Sequence, residues 1–481
     1  MNAPRSRRPR GASPGEAREP SAQRKPQVGA DLAPGLGGSG SPAAGAVAEA
    51  PRAEAPRAGL TPLLLAAAVQ AATQVLTLER PADRALSQFL REHQALGSRD
   101  RAFVAETVYA LLRRKRLIEH LAPQSGPRAL VLATLVLVRG MSVRDLERAA
   151  KPKELEQLAA LKAVDLDALP FAVRCDFPDW VLAAWRKRFA NADVLALCEA
   201  LNRPAPLDLR ANLLRQTRDA TLEALLASGI EGKATPWSPT GIRLRGHPAL
   251  ARHALFLAGA IEVQDEGSQL LTWLVAPRRG EMVVDFCAGA GGKTLALGAL
   301  MRSTGRLYAF DVSEPRLAEM KPRLARSGLA NVHPQLIASE NDARVKRLAG
   351  KIDRVLVDAP CSGLGTVRRN PDLKWRQQPE DVRRMADEQL AILAAASRMT
   401  KPGGRLVYAT CSLLEDENEE VVERFLAAHP EFVLRDAPAT LAESRIEVPP
   451  SPGPKDAFLR LLPHVHGTDG FFAAVFERTG R

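Results

Sequence analysis

The sequence predicts an α/β protein: a mainly parallel, doubly wound sheet in the C-terminal part, preceded by a small α+β domain and an all-helical domain. Three observations carry this. From Met282 onward short β-branched runs alternate with helical stretches, the signature of repeated β-α-β units. Between Phe177 and Val263 helical patterns mix with a short strand, and between about 59 and 160 apolar residues recur at helical spacing. With 481 residues, 46% hydrophobic and 25% charged, the chain is long enough for about three domains and a sizeable core.

Residues 1 to 58 hold 9 Pro and 8 Gly, with 9 basic and 5 acidic side chains, a composition too rich in structure breakers to fold. A disordered arm is expected there, solvated or weakly attracted to nucleic acid. At Thr61-Pro62 the composition changes. Thr is placed to cap a helix that has Pro at its first position, and an Ala/Leu run carries it to about Leu78. Val104, Val108, Leu111 and Leu112 place a second helix over Asp100 to His120. Its Arg113-Arg114-Lys115-Arg116 segment suits either phosphate contact or the helix dipole. The run Ala129 to Val138 reads as a buried helix, at about half the ~20 residues a membrane span needs. A helical domain is therefore expected over 59–160 and an α+β domain over 161–262, with helices near 179 to 202 and 217 to 228 and a strand around Leu207 to Asn212. The domain 263–481 carries strands over Met282–Phe286, Arg306–Phe310, Val332–Ile337, Arg354–Val357 and Arg405–Thr410.

Lys plus Arg number 67 against 55 Asp plus Glu, a net charge of +12, which favours a polyanionic partner. No membrane span is predicted. The charged residues of Met1 to Arg10 are not followed by an apolar stretch, so no secretory signal is read there and a cytoplasmic location is expected. Five cysteines, odd in number and without a C-x-x-C pair, predict free thiols, with no disulfide framework and no metal site.

In a doubly wound sheet ligands lie at the carboxyl ends of the strands. The first strand ends in Asp285-Phe286-Cys287-Ala288-Gly289-Ala290-Gly291-Gly292-Lys293-Thr294, a turn where backbone approaches a ligand closely. A phosphate-binding loop would need Gly at 287, and a dinucleotide loop would need Gly at 294. Neither pattern is met, and a nucleoside-cofactor methyltransferase is the third reading. Asp311 ends the second strand, placed to accept both ribose hydroxyls of a nucleoside or to cap the following helix. Two thiols stand at two further strand ends, in Asp358-Ala359-Pro360-Cys361-Ser362-Gly363 and Thr410-Cys411-Ser412. Ser412-Leu413-Leu414-Glu415 has capping-box spacing, which predicts a helix N-terminus after Cys411 and a dipole favouring its thiolate. The acidic stretch Glu415 to Glu420 acts in the opposite direction.

These motifs, with Asn202-Arg203-Pro204, Gln264-Asp265-Glu266-Gly267-Ser268-Gln269, Asp342-Ala343-Arg344, Asn370-Pro371-Asp372-Leu373-Lys374-Trp375 and His466-Gly467-Thr468-Asp469-Gly470, make the chain resemble the NOL1/NOP2/Sun family of RNA cytosine-5 methyltransferases, and within it the bacterial RsmB type. The resemblance runs from about Phe177 to the C-terminus. Gly289-Ala290 departs from the Ala-Pro of many relatives.

The resemblance implies a Rossmann-like class I methyltransferase domain behind a NusB-like RNA-binding domain, with S-adenosylmethionine as cofactor and ribosomal RNA as partner. It implies Cys411 as nucleophile, Cys361 as the residue that assists release, and Asp358 as the group that holds the base. Cys287, Ala288, Gly289, Ala290, Gly291, Gly292, Lys293, Asp311, Asp342 and Asp358 are implied to line the cofactor site. Arg368, Arg369, Lys374 and Arg376, next to the thiols, are expected to contact RNA phosphate, and the chain to act as a monomer. The same chemistry on transfer RNA, and an inactive RNA-binding scaffold with this fold, are the competing readings. The intact cysteine pair counts against the scaffold.

Overall fold

Thr61 starts the first helix, Pro62–Leu76: its side chain accepts from Leu64 N, and Pro62 occupies the first turn. The computed structural model describes residues 60–123, 126–452 and 456–480; the predicted arm over 1–58 lies outside them. Helices 62–76, 82–92, 98–113, 115–121 and 127–137 bury Leu65, Ala68, Val104, Leu111 and Val131 in one apolar core. The single helix expected over 100–120 is two, broken at Arg114. There the carboxylate of Asp176 draws the backbone N–H groups of Arg116 and Leu117 out of the helical ladder. Likewise 179–202 is two helices, Asp179–Arg186 and Asn191–Leu201.

The α+β segment holds four strands rather than one: β1 (Asp208–Ala211), β2 (Gly232–Ala234), β3 (Gly241–Leu244) and β4 (Ile261–Val263), paired antiparallel in the order β2-β3-β1-β4. All four have only three or four residues, too short to show an alternating pattern.

The C-terminal sheet comprises β5 (Met282–Asp285), β6 (Arg306–Asp311), β7 (Val332–Leu336), β8 (Ile352–Asp358), β9 (Thr400–Thr410), β10 (Phe432–Arg435), β11 (Leu459–Leu461) and β12 (Phe471–Arg478). The order is β10-β12-β9-β8-β5-β6-β7, with β11 against β12. The five predicted strands form its parallel part, and β10, β11 and β12 add an antiparallel edge. Val283, Val284, Val355, Leu356, Leu406 and Val407 are all inaccessible to solvent, as a sheet covered on both faces requires. Order reverses between β5 and β8, whose neighbouring carboxyl ends carry Asp285 and Asp358. That reversal is where a doubly wound sheet opens a crevice.

Residues 60 to 480 belong to one compact unit, and the Asn370-to-Trp375 motif clasps it. Asp372 accepts from Ala82 N at 3.1 Å and Trp375 Nε1 donates to Leu112 O at 2.8 Å. Among the described residues no helix is long and apolar enough to cross a membrane.

Candidate active site

The Gly-rich turn leaves β5 and enters helix Gly292–Leu300. Gly291, at φ +85°, cannot carry a side chain: a Cβ there would lie 2.6 Å from Met320 Cγ. At Gly289, φ +53°, nothing lies within 4 Å of the Cβ position, so the turn has an open face a ligand can reach. Two arginines shape its other side. Arg210 Nη1 donates to Gly292 O at 2.7 Å and also bonds Gln264 Oε1, while Arg323 Nη1 donates to Ala290 O at 2.8 Å. Glu262 in β4 holds Arg323 and Arg326 at 2.9 and 2.7 Å. The short α+β domain thus reaches under the loop through Arg210 and Glu262, two positions sequence reasoning missed because their partners lie far along the chain.

Asp311 accepts from Gly289 N and from Ser313 N, each at 2.7 Å. The N-cap position of helix Glu314–Ser327 belongs to Ser313, so Asp311 braces the turn instead of capping the helix. Asp285 is buried; Thr294 Oγ1 donates to its Oδ2 at 2.6 Å, and its Oδ1 has no partner. Burial pushes its pKa up to about 7, with Thr294 opposing. Cys287 stands beside it, its thiol raised well above the usual range by burial and by Asp358. Asp342 caps the short helix Ala343–Lys346 through Arg344 N at 2.8 Å and also accepts from Ala338 N.

Lys293 Nζ and Asp358 Oδ2 are 2.7 Å apart. Burial lowers the lysine pKa, but the Asp358 carboxylate more than restores it, and Cys411 adds to the pull. The ammonium is thus held on the carboxylate at the end of β8. Cys361 Sγ and Cys411 Sγ are 3.3 Å apart. The contact with the Cys411 sulfur, and burial, push the Cys361 thiol well up. Either sulfur can donate in that contact.

The capping box expected at Ser412 is not formed. Ser412 Oγ accepts from Leu414 N at 3.2 Å, Glu415 pairs with Arg188, and the next α-helix begins at Glu419. The dipole argument for Cys411 falls with it, because its loop turns inward to bring Glu417 beneath both thiols.

The predicted RNA contacts divide. Lys374 is 1% exposed, and its three protons go to Arg113 O, Asp176 O and Asn202 Oδ1 at 2.9, 2.5 and 2.6 Å. Burial pushes its pKa down to about 7, with Asp176 opposing. Arg368 is equally enclosed, donating to Asp469 at 3.0 Å. Neither is free to meet a phosphate, so both expectations are corrected. Arg369, paired with Asp265 and Asp469 at 3.0 and 2.6 Å, and Arg376, 3.4 Å from Asp372, keep part of the guanidinium at the surface. In the basic run 113–116 Arg113 is buried and donates to Arg368 O, while the half-buried Arg114 and Arg116 pair with Asp176 and Asp179, and Lys115 with Glu119. Lys374→Met leaves Asp176 buried beside unpaired carbonyls, and about 3–5 kcal/mol of stability should be lost. Urea unfolding of the whole chain measures this, and an unchanged midpoint would refute it.

The residues present suit a nucleoside cofactor: an open Gly turn, a strand-end carboxylate at Asp311, and an unpaired buried oxygen on Asp285. A mainly parallel sheet with this turn at its switch point, and two thiols in contact beside it, define a Rossmann-like methyltransferase.

Family models match twice: "16S rRNA methyltransferase RsmB/F" over residues 272–477 and the "Methyltr_RsmF/B-like, ferredoxin-like domain" over 177–251. A Synechocystis protein named probable ribosomal RNA small subunit methyltransferase B is 31% identical, over 82% of this chain and 95% of its own. A Bacillus subtilis protein of the same name is 31% identical over 68% of this chain and 71% of its own. Among solved structures, that of PH0851 superposes with a TM-score of 0.71 at 26% identity, covering 87% of this chain and 99% of that one. A methyltransferase homologue from Pyrococcus horikoshii gives 0.55 at 28%, over 66% and 100%. The chain belongs to the RsmB/F family of 16S rRNA methyltransferases. It is an S-adenosylmethionine-dependent RNA methyltransferase.

Proposed function

We propose that the chain methylates carbon 5 of a cytosine in 16S ribosomal RNA through a covalent bond between Cys411 and the base. The 3.3 Å contact of Cys361 with Cys411 is the observation that carries this reading, since a nucleophile and a second proton-bearing group must serve the same ring. Carbon 5 of cytosine is a weak nucleophile until a thiolate adds to carbon 6. Cys411 makes that addition, beside the Lys293 ammonium. Asp358, 2.7 Å from Lys293, holds the nitrogen 3 edge and relays to it a proton from the Lys293 ammonium as the ring gains electrons. Bound S-adenosylmethionine supplies a methyl group on a sulfonium. The Cys361 sulfur, as thiolate, then takes the carbon 5 proton as the Cys411 sulfur leaves carbon 6. Cys287 to Lys293, Asp311, Asp342 and Asp358 hold the cofactor, and Arg369 and Arg376, with the helical domain as a NusB-like module, contact RNA. A paired base cannot present carbon 6 to a thiol, so the target is unstacked or single-stranded. Transfer of labelled methyl to naked 16S RNA and to assembled small subunits tests this. Label appearing as 5-methylcytosine supports the reading; label on another atom, or none on either substrate, overturns it.

Asp311→Ala is expected to weaken S-adenosylmethionine binding by about 1.5–3 kcal/mol, the range for charge-assisted hydrogen bonds. It loses ribose acceptors and the brace on Gly289 together. Titration calorimetry measures it, and an unchanged affinity would refute the assignment.

A further inference from the structure

Beneath the two thiols lies a buried polar cluster that no step above uses. Glu417 is wholly inaccessible, and its carboxylate accepts from Ser362 N at 2.7 Å, Ser362 Oγ at 2.5 Å and Gln389 Nε2 at 3.1 Å. Gln389 donates its other amide proton to Pro360 O at 2.8 Å, so the residues on both sides of Cys361 are tied down. The Tyr408 hydroxyl donates to Glu417 O at 2.6 Å. The next residue, Asn418, is also buried and does the same for the other thiol. Thr410 Oγ1 donates to Asn418 Oδ1 at 2.5 Å and Asn418 Nδ2 donates to Ser412 O at 3.1 Å, which brackets Cys411. The Ser362 and Ser412 hydroxyls lie 3.1 Å apart. Ser362 has one hydroxyl proton, and Glu417, at 2.5 Å, is its nearer acceptor.

We propose that Glu417 and Asn418 form a two-residue clamp that sets the distance and orientation of the active-site thiols, Glu417 positioning Cys361 and Asn418 positioning Cys411. Neither reaches substrate. A carboxylate suits position 417 because Ser362 presents two donors, its N–H and O–H, to one side chain. The cost of burying that charge is offset only while every partner is in place. A burial that raises the Glu417 pKa, opposed by the bonds from Ser362, agrees with such a site. Misplacing a reacting group by about 1 Å can cost about a hundredfold in rate, so the clamp needs to fail only slightly to be seen.

The inference rests on the thiol roles given under Proposed function, and its signature is that the two halves act on opposite steps. Glu417→Gln leaves one acceptor for two Ser362 donors and loosens Cys361. Protein covalently bound to RNA in denaturing electrophoresis should rise about fivefold or more while turnover falls about tenfold. Asn418→Asp keeps the acceptor for Thr410 but loses the donor to Ser412 O, so turnover should fall with no accumulation of adduct. S-adenosylmethionine affinity and KM for RNA should stay within about twofold for both. A merely structural role would lower both activities with the folded fraction and leave the adduct level unmoved; that outcome, or wild-type kinetics for Glu417→Gln, overturns the clamp. If Glu417→Gln does not fold, Ser362→Ala removes the hydroxyl contact alone, and it must still accumulate adduct for the clamp to stand. A parallel Cys361→Ala sample separates the failures. Adduct with Cys361→Ala but none with Glu417→Gln overturns the clamp only, whereas none with Cys361→Ala overturns the thiol roles and the clamp with them.

Discussion

Cys411→Ala is expected to abolish methyl transfer, by at least about a thousandfold, or ~4 kcal/mol of transition-state stabilisation, while S-adenosylmethionine and RNA still bind. The side chain does one thing that alanine cannot: it presents a sulfur 3.3 Å from Cys361 Sγ. The position of its loop does not depend on that sulfur. Cys411 O accepts from Gly365 N at 2.8 Å, and Thr410 and Ser412 on either side are bonded by Asn418. Alanine at 411 therefore keeps the backbone and removes one partly buried atom. Calorimetry with S-adenosylmethionine, a filter-binding assay with RNA and a single-turnover methylation assay read the three quantities separately. Turnover within tenfold of the parent would move the nucleophile elsewhere. Loss of cofactor binding in proportion to activity would mean that the sulfur supports the fold.

What was legible in the sequence was whatever a few neighbouring residues decide. β5, β6, β8 and β9 were legible because strands buried on both faces are short apolar runs that turn residues punctuate, whereas β7, Val-His-Pro-Gln-Leu, is a largely exposed edge strand. Thr61-Pro62 gave the first helix start for the same local reason. The antiparallel edge was not read: no strand was expected over Phe471 to Arg478, after the His466-to-Gly470 motif, and β10 and β11 have only four and three residues. Tertiary contacts overrode local signals elsewhere. The spacing of Ser412 and Glu415 is right for a capping box, yet the chain turns inward so that Glu417, read as one of an acidic stretch, lies under both thiols. Lys374 beside Trp375 has the look of a phosphate contact. Its partners are Arg113, Asp176 and Asn202, 172 to 261 positions away, and nothing within a few residues of 374 reports them. The catalytic set, by contrast, lies at strand ends, where local pattern and function coincide.

The second large effect separates the two thiols. Cys361→Ala is expected to add to the base and transfer the methyl group, but to release product so slowly that enzyme remains attached to RNA. The reason is in the geometry. Cys361 Sγ lies 3.3 Å from Cys411 Sγ, at the end of the neighbouring strand. Once the Cys411 sulfur is bonded to carbon 6, this second sulfur is left free and, as thiolate, takes the proton from carbon 5. Removing it leaves the entry step to Cys411 and Lys293 and takes away help for the exit step alone. Protein carrying RNA should persist through denaturing electrophoresis with Cys361→Ala and be absent with Cys411→Ala. The double variant should match Cys411→Ala, because no adduct forms without the first thiol, and this non-additivity is itself the mark of residues acting in sequence on one intermediate. Pro360 before Cys361 leaves the exchanged assignment open on local sequence alone, and the same gel decides it. An adduct that appears with Cys411→Ala and not with Cys361→Ala reverses the roles, while adducts with both variants would show that either sulfur can reach carbon 6 across their 3.3 Å separation.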